Sequence, residues 1–103
     1  MRYSVVLTVA AAEDFRQLDG SLKEPVAKQL KKLETAPRLG EHLGNRAGFD
    51  LTGYYKLYAA KKSIRIVYRI IDQKILVEVV AIGKREDLAV YQEALKRLKY
   101  RNR

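Results

Sequence analysis

Hydrophobic positions follow first a strand-like and then a helical spacing through the first third of the chain. Residues 3–7 (YSVVL) combine β-branched and aromatic types and predict a short strand. Apolar residues then recur every three or four positions in two stretches separated by Asp19-Gly20, which predicts two amphipathic helices. Thr8 is placed to cap the first helix, and Ser21 begins a capping-box spacing in the second. The apolar positions are Ala11, Phe15 and Leu18 in the first helix and Leu22, Val26, Leu30 and Leu33 in the second.

The rest of the chain carries three strand-like segments and one further helix. Residues 36–50 contain three glycines and are predicted to form a loop. Period-two alternation and a nearly continuous apolar run predict strands over residues 54–60, 64–71 and 75–82. The helical spacing returns from about Glu86, with Tyr91, Ala94, Leu95 and Leu98 as the apolar stripe. The order β-α-α-β-β-β-α predicts one α+β domain over residues 1–103, with a mainly antiparallel twisted sheet, an N-terminal helical hairpin and a C-terminal helix.

Tight turns would give this sheet two unlike faces. A two-residue turn at Asp72-Gln73 aligns the last two strands so that one apolar face packs on the helices. The residues of that face are Ile64, Ile66, Tyr68 and Ile70 on one strand and Ile75, Val77, Val79 and Ala81 on the next. A similar turn at Lys61-Lys62 brings the alternate positions together on the other face. That second face is predicted to be open and cationic, with the residues Tyr54, Lys56, Tyr58, Arg65, Val67 and Arg69.

Composition narrows the class of protein and of partner. Hydrophobic residues make up 48% of the 103 residues and charged residues 32%, which fits one folded soluble domain. We expect a cytoplasmic protein without a membrane partner, because no apolar run has the length of a span and Glu13 interrupts the apolar start too early for a secretory leader. The absence of cysteine fits a reducing compartment. The net charge of +9 favours a polyanionic partner such as nucleic acid, although a merely soluble basic protein would have the same composition.

The cations of the second face suggest a site for a phosphodiester. Arginine offers a planar fork of donors that matches phosphate oxygens and stays charged at any relevant pH. The residues placed to surround one phosphate are Lys56, Arg65, Arg85 and Tyr91. The alternative interpretation is that Arg65 and Arg69 pair with Glu78 across the sheet, while the lysines are only solvated.

Other catalytic signatures are missing from the sequence. It contains no glycine-rich phosphate loop, no cluster of metal ligands and no Ser/His/Asp set. The single histidine, His42, has no spaced partner and is predicted to be structural or exposed to solvent. We therefore expect no metal and no other cofactor.

From about Tyr55 to Leu98 the chain resembles the RelE toxins of the RelE/ParE superfamily of bacterial and archaeal toxin-antitoxin proteins. The matching segments are YYKLYAAKKSIRIVYRIIDQKILVEVVAIGKRED and VYQEALKRL. The resemblance implies the same β-α-α-β-β-β-α fold and a metal-independent endoribonuclease, an mRNA interferase, that cleaves mRNA in the ribosomal A site and inhibits translation. It also implies three kinds of partner: a cognate antitoxin protein, the ribosome with its mRNA, and operator DNA bound through the antitoxin.

By resemblance, the family's catalytic positions fall on Lys56, Arg65, Arg85 and Tyr91. Tyr91 would help to deprotonate the 2′-hydroxyl that attacks the adjacent phosphate, and Arg85 would assist the leaving oxygen. Lys56 and Arg65 would stabilise the extra charge on the phosphorane. A tyrosine can act as a base only if nearby cations lower its pKa from about 10.

The chain departs from the family pattern at one of these strands. Tyr58 stands where the best-known members carry a second lysine, so that cation is absent or is replaced by Lys61, Lys62 or Arg69. The residues predicted to bind RNA are Tyr58, Lys61, Lys62, Arg69, Lys84, Lys96 and Arg97. Two alternatives to the endoribonuclease share the expected fold: a ParE-like inhibitor of DNA gyrase, and a non-catalytic protein that binds RNA or the ribosome.

Overall fold

A strand and two helices open the chain in the predicted order. The computed structural model describes residues 2–46, 49–84 and 89–101. Strand β1 covers Ser4–Leu7, helix α1 covers Val9–Arg16 and helix α2 covers Gly20–Lys32. Thr8 caps α1 as predicted, since its Oγ accepts a hydrogen bond from the Ala11 amide at 3.1 Å. The capping box predicted at Ser21 is wrong, because Asp19 occupies the N-cap position of α2 and makes no side-chain hydrogen bond there.

Six strands and a third helix complete the fold. They are β2 (Glu41–His42), β3 (Asn45–Arg46), β4 (Phe49–Asp50), β5 (Tyr54–Ala59), β6 (Ile64–Ile71), β7 (Leu76–Lys84) and α3 (Ala89–Arg101). The short strands β2, β3 and β4 lie in the segment predicted as a loop. Five strands form one sheet in the order β1-β7-β6-β5-β2, while β3 pairs with β4 in a separate hairpin. Only β1 and β7 run parallel in the large sheet, so the predicted α+β fold with a mainly antiparallel sheet is confirmed.

One face of the sheet packs on α1 and α2 and forms the first core. Its fully buried members include Ala11, Val26, Leu33, Ile66, Tyr68, Val77 and Val79. The Tyr68 hydroxyl ties this core to the loop before β2, because it donates to the Pro37 carbonyl at 2.8 Å and accepts from the Gly40 amide at 3.0 Å. None of the helices within the described ranges is long and apolar enough to cross a membrane.

The turn between β6 and β7 differs from the prediction. A 3-10 turn over Asp72–Lys74, followed by Ile75 in a left-handed conformation with φ of 50°, replaces the two-residue turn at Asp72-Gln73. The longer turn moves Ile75 out of the apolar face and leaves it 37% exposed. The predicted turn at Lys61-Lys62 is confirmed, since the Ser63 amide bonds to the Ala60 carbonyl at 3.1 Å across those two residues.

A β-bulge in β7 also changes which side chains face the helices. Tyr68 pairs with Val79 and Val67 pairs with Ala81, so Val80 is an extra residue in the ladder. After the bulge, Ala81 belongs to the opposite face of the sheet rather than to the helix face on which it was predicted. The apolar run gives no sign of this change, because the residues on both sides of the bulge are hydrophobic.

That opposite face is a second core, and the prediction that it is open is wrong over most of its area. Its buried residues are Leu43, Leu51, Tyr54, Val67, Val80, Ala81, Tyr91 and Ala94, with Leu95 and Leu98 packed against them. The physical reason is the apolar stripe of α3, which is buried only by lying across β6 and β7. The predicted cations Lys56 and Arg65 lie beside this core on the same face, where both are buried and Arg65 contacts Tyr91 of α3.

Candidate functional site

Arg65 is the central residue of the candidate site. It lies on β6 on the same face as the second core, and it is 8% exposed. Its guanidinium carbon lies 4.5 Å from the ring centroid of Tyr91 on α3 and 5.6 Å from that of Tyr58 on β5, so two rings hold the cation between them. Its Nε and Nη1 atoms are buried and have no hydrogen-bond partner among the described residues. A buried donor without a partner costs about 1–3 kcal/mol, and more when charged, so this arrangement requires an explanation.

Lys56 supplies a second buried cation beside Arg65. It is 8% exposed and lies on β5, opposite Val67 of β6 and Glu41 of β2. Its Nζ donates to the Tyr58 hydroxyl oxygen at 3.0 Å and lies 3.8 Å from the Glu41 carboxylate. Two cations are therefore held near each other with one carboxylate at the edge.

Tyr58 lies between these cations. It is the cross-strand neighbour of Arg65, and strand alternation puts it on the same face as Lys56. The hydrogen bond from Lys56 lowers the pKa of the Tyr58 phenol to about 8, and a hydrogen bond from Arg65 acts in the same direction, while burial opposes both. The departure from the family pattern has therefore put an ionisable hydroxyl where a second lysine was expected.

Tyr91 lies next to Arg65 as predicted, but it is buried in the second core instead of lying on an open surface. Its side chain is 3% exposed and belongs to the second core. The ring lies against the Arg65 guanidinium, so it helps to fix the orientation of that cation.

A cleft of about 1010 Å³ opens between α2 and β5, and Lys56 and Tyr58 are among the residues of β5 that border it. Its lining also carries four exposed lysines, which are Lys28 and Lys32 of α2 and Lys61 and Lys62 of the turn after β5. The turn residues have positive φ values of 55° and 68°, a conformation that costs energy in a non-glycine residue. The two α2 lysines were missed by the sequence reasoning, although their i, i+4 spacing put them on the polar face of that helix.

Two of the predicted RNA-binding arginines are used inside the protein. Arg69 donates to Glu78 at 2.8 Å, so the ion-pair interpretation is confirmed for Arg69 but not for Arg65. Arg97 donates to the Asp14 carboxylate and also lies 3.3 Å from Glu93, which gives it a structural role between α3 and α1. We therefore leave Arg69 and Arg97 out of the RNA surface.

The remaining predicted residues have varied positions. Lys84 ends β7 and Lys96 lies on α3, and both are exposed. Arg85 lies outside the described residues. His42 is structural, as expected: its Nε2 accepts the Gly53 amide at 3.2 Å. Residues 2–46, 49–84 and 89–101 contain no group of three or more side chains suited to a metal ion.

Comparison with known proteins places these features in a family context. Residues 5–89 match the family model described as ParE toxin of type II toxin-antitoxin system, parDE. The mRNA interferase toxin RelE of Escherichia coli K12 and the mRNA interferase RelE of Shigella flexneri are each 32% identical over 98 residues, which is 95% of this chain and 99% of theirs.

Solved structures of proteins in the same family share the fold of this chain. A double mutant of Escherichia coli RelE in the free state superimposes with a TM-score of 0.77 at 31% identity, over 95% of this chain and 99% of that chain. A chain of the intact Escherichia coli RelBE toxin-antitoxin complex has a TM-score of 0.67 at 28% identity, over 80% of this chain and 95% of that chain.

Proposed function

Because the chain belongs to the ParE toxin family of type II toxin-antitoxin systems, we propose that it is a toxin that inhibits translation by cleaving mRNA on the ribosome. Its relatives named as mRNA interferases support the reaction class, and a cognate antitoxin is its protein partner, as in the RelBE complex. Operator DNA would be bound through that antitoxin. The protein acts in the cytoplasm, where ribosomes and mRNA are found.

The observation that carries this proposal is the buried Arg65 with two unpartnered donors beside the buried Lys56. Preorganised cations in a poorly hydrated site stabilise the charge that develops on a phosphorane. A phosphate between these groups would accept the Arg65 hydrogen bonds that the described residues leave unmade. The energetic cost of leaving these donors unpaired is then recovered when RNA binds.

The chemistry needs no metal and no external nucleophile. The 2′-hydroxyl of one nucleotide attacks the adjacent phosphorus, the bond to the 5′-oxygen breaks, and the products are a 2′,3′-cyclic phosphate and a 5′-hydroxyl end. Arg65 and Lys56 stabilise the phosphorane, and Tyr91 holds the Arg65 guanidinium in place. Arg85 stays a predicted participant at the leaving oxygen. Tyr58, Lys61, Lys62, Lys84 and Lys96 contribute to RNA binding by charge or contact.

A second candidate function is inhibition of DNA gyrase, which the ParE name of the matching family model favours. That function requires a protein-binding surface, and it gives no reason for Arg65 to be buried with unpartnered donors. A third candidate, non-catalytic binding to RNA or the ribosome, uses the cationic surface without the enclosed geometry.

Primer extension on mRNA in programmed ribosomes tests the proposal. Wild-type protein should produce cuts confined to the A site, whereas Arg65→Met should cut at least about 100-fold more slowly, because a preorganised donor set is lost. The matched control is Arg16→Met, which removes an equal charge from an exposed α1 ion pair and should cut like the wild type. Arg65→Met should melt no lower than the wild type, since an apolar side chain replaces a buried, incompletely paired charge.

Two results would contradict the proposal. Intact mRNA from a folded wild-type protein that inhibits gyrase supercoiling would favour the ParE-like function. Salt-sensitive binding to ribosomes without any cut would favour the non-catalytic function.

A further inference from the structure

Tyr58 has an ionisable side chain that contacts both buried cations, Lys56 and Arg65. Its hydroxyl oxygen accepts from Lys56 Nζ at 3.0 Å, and its ring lies 5.6 Å from the Arg65 guanidinium carbon. The side chain is half-buried, so it meets both cations and still keeps part of its surface in contact with solvent.

We propose that Tyr58 is the general base of the cleavage reaction, taking the proton from the 2′-hydroxyl that attacks the phosphate. This assignment rests on the function proposed above and deepens it. It gives Tyr58 the role that the resemblance alone assigned to Tyr91.

The geometry distinguishes the two tyrosines. Tyr91 is 3% exposed, is packed among Val67, Val80 and Ala94, and lies against Arg65. Such a position suits a residue that orients a cation. Tyr58 has the cation contacts and is only half-buried, and a general base must come within hydrogen-bond reach of the proton that it removes.

The charged groups around Tyr58 all bear on its ionisation. Lys56 and Arg65 hydrogen-bond to it and lower the pKa of its phenol to about 8. Lys28, Lys32, Lys61 and Lys62 line the cleft between α2 and β5, but Lys56 and Arg65 are the cations that lower the pKa of Tyr58. Glu41 on β2 is the acidic neighbour, but it lies 3.8 Å from Lys56 Nζ, so its charge is offset by that ammonium. A base with a pKa near the working pH is present in its reactive form and still accepts a proton readily.

The step is balanced without a co-reactant. The Tyr58 phenolate takes the 2′-hydroxyl proton as the 2′-oxygen bonds to phosphorus. The bond from phosphorus to the 5′-oxygen then breaks, and that oxygen takes a proton from water. The Tyr58 phenol returns its proton to the solvent, so the net change is one proton moved from the 2′- to the 5′-hydroxyl.

Single-turnover cleavage as a function of pH tests the assignment, on ribosomes stalled at a codon that primer extension has shown to be cut. The wild-type rate should rise with pH and level off above about 8. Tyr58→Phe should lower the rate by about 10²–10⁴-fold, the usual contribution of a general base, and should lose the rising limb. Tyr91→Phe should keep that limb at whatever rate remains. The matched control is Tyr55→Phe, three residues earlier on β5, where the ring stacks on Tyr68 and activity should be unchanged.

A second readout does not depend on activity. Ultraviolet difference spectra of the wild type should show one phenol that ionises near pH 8, and this phenol should be missing from Tyr58→Phe and present in Tyr55→Phe. Tyr58 replaced by fluorotyrosine, a more acidic phenol, should move the rising limb of the rate profile to lower pH.

The outcomes distinguish a failure of the Tyr58 assignment from a failure of the proposed endonuclease function. If wild-type protein cuts and Tyr58→Phe cuts equally fast, or cuts slowly with the rising limb unchanged, Tyr58 is not the base although the endonuclease function stands. Unchanged difference spectra in Tyr58→Phe would have the same meaning. If the wild type cuts no mRNA at all, the proposed function fails and the base assignment fails with it.

Discussion

Replacing Asp14 by alanine should destabilise the protein much more than its position on a surface helix suggests. The Asp14 carboxylate accepts the Ile82 amide at 3.1 Å and two Arg97 nitrogens at 3.0 and 3.2 Å, which joins α1, β7 and α3. Removing one partner of a buried ion pair typically costs about 3–5 kcal/mol, because the other charge stays unpaired. Since the two side chains keep 23% and 18% exposure, solvent screening reduces this to about 2–3 kcal/mol.

The neighbouring residue provides a matched control. Glu13 pairs with Arg16 at 2.7 Å, but those side chains are 45% and 76% exposed, so Glu13→Ala should cost less than about 1 kcal/mol. Both variants remove one carboxylate from α1 and leave the same alanine in the helix. The difference between them therefore measures mainly the contacts of Asp14 with β7 and α3 rather than the change in net charge.

Urea unfolding of wild type, Asp14→Ala, Glu13→Ala, Arg97→Met and the double variant Asp14→Ala/Arg97→Met gives the free energies. The Asp14→Ala loss corresponds to a melting temperature lower by about 10–20 °C for a domain of this size. Asp14→Ala and Arg97→Met should be non-additive, because both break the same ion pair. The reasoning fails if Asp14→Ala costs no more than Glu13→Ala, or if the two single changes add independently.

Two further predictions concern the first core and its rim. Gly40→Ala should cost about 1–3 kcal/mol in urea unfolding, because a Cβ there would clash with the Lys56 carbonyl oxygen and lie 2.9 Å from the Tyr68 hydroxyl. Gly44→Ala is the control, since a Cβ at Gly44 would meet nothing within 4 Å, and equal stability of the two variants would disprove the close approach at Gly40. Hydrogen bonds from Tyr3 and Arg38 lower the pKa of Asp72 below its ordinary 3.8, so its stabilising contribution is complete above that pH and is lost as pH falls through the lowered pKa. Asp72→Asn should therefore make stability less dependent on pH below about 5, and an unchanged pH profile would contradict this.

The sequence predicts the elements of this fold well where one periodicity dominates. Both early helices and the strands β5 and β6 lie close to their predicted positions, because alternation and helical spacing are read from neighbouring residues. The register beyond Val79 is not predictable in that way, since the bulge at Val80 lies in an unbroken apolar run. The second core was missed because an apolar stripe on α3 does not reveal which face of the sheet it covers.

In the candidate site, too, local patterns predicted some features, whereas features that depend on tertiary contacts were missed. Lys56, Tyr58 and Arg65 were predicted to share a face because strand alternation and one turn suffice to align them. The burial of Lys56 and Arg65 depends on tertiary contacts that no local pattern contains. The pairing of Arg97 with Asp14 joins residues 83 positions apart, and both are of types that normally face solvent, so nothing in the sequence separated Arg97 from the other basic residues of its helix.

The parallel pairing of β1 with β7 has a consequence for synthesis of the protein. Ser4 lies beside Leu76, so the first strand leaves the ribosome long before its partner exists, and α3, which places Tyr91 on Arg65, is made later still. Contacts so distant in sequence form slowly, and a domain of this kind folds as a unit. The contacts around Arg65 are therefore assembled only after α3 has been synthesised.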